Sequence, residues 1–165
     1  MGVSRRGFVS GLAVLTGVGV SHSALAWREP EKTRPDWLPQ QDPAVVKDMV
    51  GVSHANLPRV RELVEKQPAL ANAAVDWGFG DWETALGAAS HMGRRDIAEF
   101  LLGQGARGDI FAAAMLGSLD LVKAIVQIQP SSATALGPHG ISLLRHAIAG
   151  GEAATAVAEY LQSLV

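Results

Sequence analysis

Apolar residues recur along this chain at helical spacing, in paired stretches separated by a glycine or a polar turn. Val45, Val46, Met49 and Val50 fall on one face of a helix beginning at Pro43, and Asp42 before that proline is a favoured cap. After a turn at Ala55-Asn56, the residues Val60, Leu63 and Val64 mark a second helix, which Pro68 to Asn72 closes. Thr84-Ala85-Leu86 opens a third helix and Gly93 ends it. Ile97, Phe100 and Leu101 then recur on one face of a fourth. Ala113-Ala114 and Gly117 repeat that layout, with Leu119, Leu121 and Val122 as expected core positions. Beyond Gly150-Gly151, the residues Val157, Tyr160, Leu161 and Leu164 form the inner face of a last helix. The pattern predicts an all-α chain of about four helix-turn-helix pairs.

Self-similarity sharpens this. Gly117 follows Gly93 by 24 residues, and Gly151 follows Gly117 by 34. Thr84 and Leu86 match two positions of T-P-L-H-x-A, with Ala85 in place of the proline and Gly87 in place of the histidine. The segment from Asp81 to Ala106, with its echoes, resembles an ankyrin repeat, and the likeness covers residues 43–165. It implies an ankyrin-repeat solenoid with extended finger loops. The first and last pairs would serve as atypical caps. Residues 73–82 would form such a finger, and Pro138-His139-Gly140 another. The short 24-residue shift leaves almost no finger at Arg107-Gly108. The chain also looks like a group of bacterial exported ankyrin-domain proteins.

The start of the chain is read separately. Ser4-Arg5-Arg6-Gly7-Phe8 resembles a twin-arginine export signal, with Arg5, Arg6 and Phe8 as its key positions. The apolar run after it is shorter than the roughly 18 residues of a membrane span. Ala24-Leu25-Ala26 supplies a small-residue cleavage site, with Ala24 and Ala26 at the critical places. Residues 1–26 are therefore expected to be a signal peptide, or an uncleaved anchor and the only membrane contact. Residues 27–42, rich in proline, are expected to be a linker. The implied location is periplasmic or secreted. Removing Arg5 and Arg6 leaves 12 basic residues against 16 acidic ones, a net charge of −4. A chain so charged, without a basic block, is a poor nucleic-acid ligand. The absence of cysteine excludes a disulfide scaffold, a lipoprotein anchor and a Cys-based zinc site.

An ankyrin-like scaffold implies protein binding through finger tips and first helices. The candidate partner-binding residues are Trp77, Phe79, Trp82, His91, Met115 and His139. The aromatics sit between glycines, where helix periodicity does not explain them. His54, His91 and Met115 share one register before the turn glycines. Each has a plainer alternative: Trp82 packing on a neighbouring finger, Phe79 tucked beneath Trp77, His91 capping a carbonyl, Met115 in the core. His146 is expected inside the fourth pair, and Arg94-Arg95 on a solvated face. His54, His91, His139 and His146 show neither H-x-x-x-H nor H-E-x-x-H, and no acidic third ligand stands out beside them. No G-x-S-x-G elbow or phosphate cradle occurs. No metal, cofactor or catalytic residue is therefore expected. The leading expectation is a non-catalytic protein-interaction module with a protein partner. The rivals are an accessory subunit of an exported enzyme and, third, a small hydrolase or metal-dependent enzyme.

Overall fold

The computed structural model describes residues 41–164. The export segment with Arg5, Arg6, Phe8, Ala24 and Ala26, and the proline-rich stretch through residue 40, lie outside them. The described residues form a mostly helical protein with eight α-helices and one two-stranded hairpin. None of these helices is long and apolar enough to cross a membrane.

The helices come in pairs: α1 (Pro43–Val52) with α2 (Leu57–Lys66), α3 (Ala85–His91) with α4 (Arg95–Gly103), α5 (Ile110–Met115) with α6 (Leu119–Ile128), and α7 (Leu143–Ala149) with α8 (Thr155–Gln162). The starts are set by side-chain caps that satisfy otherwise orphaned N–H groups. Asp42 accepts from Ala44 with Pro43 at the first turn, as the sequence indicates. Asn56 caps α2, Thr84 caps α3, Asp109 caps α5 and Ser142 caps α7. The Thr84 hydroxyl accepts from the Gly87 amide at 2.8 Å. Thus Thr84 fixes the start of α3 by its own hydroxyl.

The first helices α1, α3, α5 and α7 lie against one another in order, and the second helices pack behind them. One apolar core runs from Met49 and Val60 through Leu86, Ile97 and Leu101 to Met115, and a second joins Val122 to Leu143, Val157 and Leu161. Burying each large aliphatic side chain contributes about 1.5–3 kcal/mol. Alanine-rich α3 and α5 let their neighbours come close. At the turn glycines the fit is tighter still: a Cβ on Gly117, whose φ is +76°, would stand 2.0 Å from the Ala153 carbonyl oxygen.

Residues Ala74–Asp76 (β1) pair antiparallel with Trp82–Thr84 (β2), Val75 facing Glu83. This hairpin projects between the first two helix pairs. Between α4 and α5 the connection is short. A bridge between Leu136 and Ser142 closes a second, smaller finger before α7. Because no finger intervenes at residues 104–109, the Pro138–Gly140 turn lies directly against β2.

Several expectations are corrected. Met115 is fully buried and takes no part in any exposed face. Helix α5 is short and flanked by alanines, so α3 and α7 close over it from both sides. Leu121 is 52% exposed, because α6 buries Val122 and Val126 and the preceding residue is turned about 100° away. Leu164 lies past the end of α8 and is also exposed. Arg94 and Arg95 are half-buried rather than on a free face. Arg94 donates to the Ala55 carbonyl and pairs with Asp96, and Arg95 reaches the Met115 carbonyl and Glu99.

Candidate functional site: an aromatic finger over a buried histidine–glutamate cluster

The finger is built from strand alternation, in which successive side chains point to opposite faces. In β2, Trp82 and Thr84 face outward and Glu83 faces the helices, where it is fully buried. The Glu83 carboxylate is fixed from one side by the Trp77 indole, whose Nε1–H donates to Oε2 at 2.8 Å. Lys47 of α1 lies over the Trp77 ring at 5.4 Å. Trp77 therefore braces the hairpin and remains 41% exposed.

The finger tip is different. Phe79 has a φ of +56° and its side chain is wholly in solvent, while Trp82 is 62% exposed. Phe79 is therefore not tucked beneath Trp77, while Trp82 shares the cleft wall with Leu136 and Pro138 of the second finger. A bulky residue in the left-handed region costs about 1–2 kcal/mol; at Phe79 the conformation belongs to the hairpin turn, which the Asp81 N–H closes by donating to the Gly78 carbonyl at 3.1 Å. The second finger carries the same feature, His139 with a φ of +58°. There the strain is balanced by contacts: the His139 backbone N–H donates to Asp81 Oδ1 and its ring Nδ1–H to Oδ2, both at 2.8 Å. The two fingers thus clamp together. Between them lies a cleft of about 610 Å³ whose walls include Phe79, Trp82, Phe111, Leu136 and Pro138.

Beneath the cleft the second oxygen of Glu83 meets three imidazoles. Oε1 lies 3.4 Å from His54 Nε2, 3.5 Å from His91 Nδ1 and 3.3 Å from His139 Nε2. It is buried and receives no hydrogen bond, and His91 Nδ1 is likewise without a partner. Burying a carboxylate oxygen without a donor is costly. The ring centroids of His54 and His91 stand 5.0 Å apart, and those of His91 and His139 5.7 Å. His91 therefore caps no carbonyl. His146 is fully buried in α7 beside Phe111, as the sequence suggests, with Nδ1–H donating to the Ser142 carbonyl at 2.9 Å.

The electrostatics follow from these neighbours. Burial lowers the His91 pKa, Glu83 only partly offsets it, and the surrounding imidazoles lower it further. Burial also pulls on His139, but the Asp81 and Glu83 carboxylates outweigh it and leave the pKa raised. The His139 backbone N–H, followed by its ring, holds the Asp81 carboxyl below its ordinary value.

Five of the six sequence-nominated residues therefore gather in one region: Trp77, Phe79, Trp82, His91 and His139. Met115 does not join them. The residue missed by sequence reasoning is Glu83, the acidic partner the histidines were thought to lack. The signal was available in Asp81-Trp82-Glu83-Thr84, where strand alternation sends Glu83 inward whenever Trp82 points out. Compared with family models, with curated proteins and with solved structures, the chain matches none.

Proposed function

We propose that this chain is a helical-repeat binding module of ankyrin type, exported by the twin-arginine route, which holds a protein partner at the cleft between its two fingers. The observation that carries this reading is the finger tip. Phe79 and Trp82 are exposed on a hairpin braced by Trp77 and clamped through Asp81 to His139. Aromatic side chains presented on a rigid frame suit an interface core, because little side-chain freedom is lost on binding. The ankyrin likeness and the Ser4–Phe8 signal add the class and the location.

The test is affinity capture from an envelope extract, with the chain from Trp27 onward immobilised. Phe79→Ala/Trp82→Ala removes the exposed rings and leaves the Trp77 brace intact. A protein held by the parent and lost by the double variant supports the reading. Equal retention by both moves the surface away from the finger. No retained protein, with both chains folded by circular dichroism, counts against a binding module.

A further inference from the structure

We propose that the cluster under the finger is a binding site for a divalent transition-metal ion of the zinc class, with His54 Nε2, His139 Nε2 and Glu83 Oε1 as its protein ligands. This does not depend on the protein-binding reading, because the ligand atoms lie beneath the aromatic tip and not on it.

The spacing is the first ground. The three ligand atoms lie within 4.8 Å of one another, and Oε1 is 3.3–3.4 Å from each imidazole nitrogen. Zinc binds nitrogen and oxygen at about 2.0–2.2 Å, and the edge of a tetrahedron of that size is about 3.3–3.5 Å. A charge-assisted hydrogen bond between imidazolium and carboxylate is shorter, about 2.7–2.9 Å. The contacts have the separation of two ligands on one ion rather than of donor and acceptor.

The second ground is the direction of the lone pairs. The His54 Nδ1 faces the Val50 and Gly51 carbonyl oxygens at 3.2 and 3.1 Å, and a carbonyl only accepts. Nδ1 therefore carries the proton. The His139 Nδ1 is committed in the same way to Asp81 Oδ2. In the neutral tautomers both Nε2 lone pairs then point at a carboxylate oxygen that itself has no donor. Three such groups converging on one buried oxygen call for a positive centre between them, either a proton on an imidazole or a bound ion, and the spacing above favours the ion.

The third ground is the outer shell. Metal-bound histidine characteristically donates its other N–H to a carbonyl or carboxylate, and bound carboxylates are hydrogen-bonded in turn. Here His54 uses backbone carbonyls, His139 uses Asp81, and Glu83 takes the Trp77 indole. His91 Nδ1, 3.5 Å from the same oxygen and without a partner, is the nearest remaining donor for a fourth position. Two or three imidazoles with one carboxylate select zinc, copper or nickel over magnesium or calcium.

The experiment uses the chain stripped with chelator and titrated with Zn²⁺ by calorimetry, with stoichiometry read by native mass spectrometry and geometry by the visible spectrum of the Co²⁺ form. The expected result is one ion per chain and a tetrahedral Co²⁺ spectrum. Asp81→Asn should weaken binding about 10-fold, and Glu83→Gln or His139→Ala by more than about 100-fold, since a ligand matters more than its outer partner. His146→Leu, which removes a nearby imidazole that is no ligand, should leave affinity unchanged. Circular dichroism in chelator identifies variants that fold. If Glu83→Gln does not, His139→Ala at the half-exposed finger tip carries the test. Absence of a one-to-one complex in the parent, or parental affinity in a folded His139→Ala chain, overturns the assignment. Phe79→Ala/Trp82→Ala should keep the ion, so failure of the protein-binding reading is distinguishable.

Discussion

Replacing Glu83 by glutamine separates a ligand site from an ordinary buried ion pair. Chelator removes the ion proposed beside Glu83. Glu83 Oε1 is then a buried carboxyl oxygen without a hydrogen-bond donor. An unsatisfied buried group costs about 1–3 kcal/mol, and more when charged. Glutamine keeps the shape. Its carbonyl accepts the Trp77 Nε1–H in place of Oε2, and its amide turns two donors toward the His54 and His139 nitrogens. The weakened bond from Trp77, now to a neutral acceptor, returns about 1 kcal/mol of that gain. The net expectation is stabilisation of the metal-free chain by about 0–2 kcal/mol. For a domain of this size, that raises Tm by about 3–5 °C for each kcal/mol. With Zn²⁺ at about 100 times Kd, the parent gains about 2.7 kcal/mol and the variant gains nothing. The order of stability in urea melts should therefore invert between chelator and zinc. A variant destabilised by about 3–5 kcal/mol in chelator would refute the reasoning, because that is the cost of breaking a compensated buried pair.

Further outcomes follow from packing and charge. Gly117→Ala adds a methyl 2.0 Å from the Ala153 carbonyl oxygen at a φ of +76°, whereas Gly105→Ala meets open space at a φ of +86°. The first should cost about 2–4 kcal/mol in urea melts and the second about 1, so equal losses would show that the close approach carries no energy. His146 is buried and its pKa is lowered, chiefly by burial. Its contribution is present above the unfolded value near 6.5 and is lost as pH falls below it, so metal-free stability should drop between about pH 7 and 5. His146→Leu should flatten that slope, and an unchanged slope would place the titration elsewhere. The Glu62 pKa is lowered to about 2 by Lys66 and then Arg59. Its stabilisation is held above the unfolded carboxyl value and lost as pH falls toward 2. In a carboxyl NMR titration Lys66→Met should move Glu62 back up, and an unmoved value would leave that pair without effect.

Most of the helical layout was readable because caps and periodicity act locally. Asp42-Pro43, Asn56, Thr84, Asp109 and Ser142 each start a helix by satisfying their own amides. The glycine spacing of 24 and then 34 residues carried the short connection between α4 and α5. Depth was less legible than periodicity. Met115 and Leu121 are both apolar residues on a helix flank, and their burial is decided by which neighbours close over them. Met115 lies between two alanine-lined contacts and disappears into the core, while Leu121 sits one step beside the buried Val122–Val126 stripe.

The cluster was hidden for a related reason, and the short connection between α4 and α5 explains both why it exists and why no motif announces it. His54 lies in the turn between α1 and α2, His91 ends α3, Glu83 belongs to the hairpin and His139 to the second finger. No two of these residues fall at a ligand spacing within one helix, so H-x-x-x-H is the wrong thing to seek. His139 reaches Asp81 and Glu83 across 58 and 56 positions of sequence, because the connection between α4 and α5 is too short to stand between the two fingers. Lengthening the connection between α4 and α5 should therefore undo the site without touching a ligand. A finger-length hairpin inserted after Arg107 would separate His139 from Glu83. It should abolish one-to-one Zn²⁺ binding while far-UV circular dichroism retains the helices. Retained stoichiometric binding in that folded variant would show that the ligands do not need the direct meeting of the two fingers.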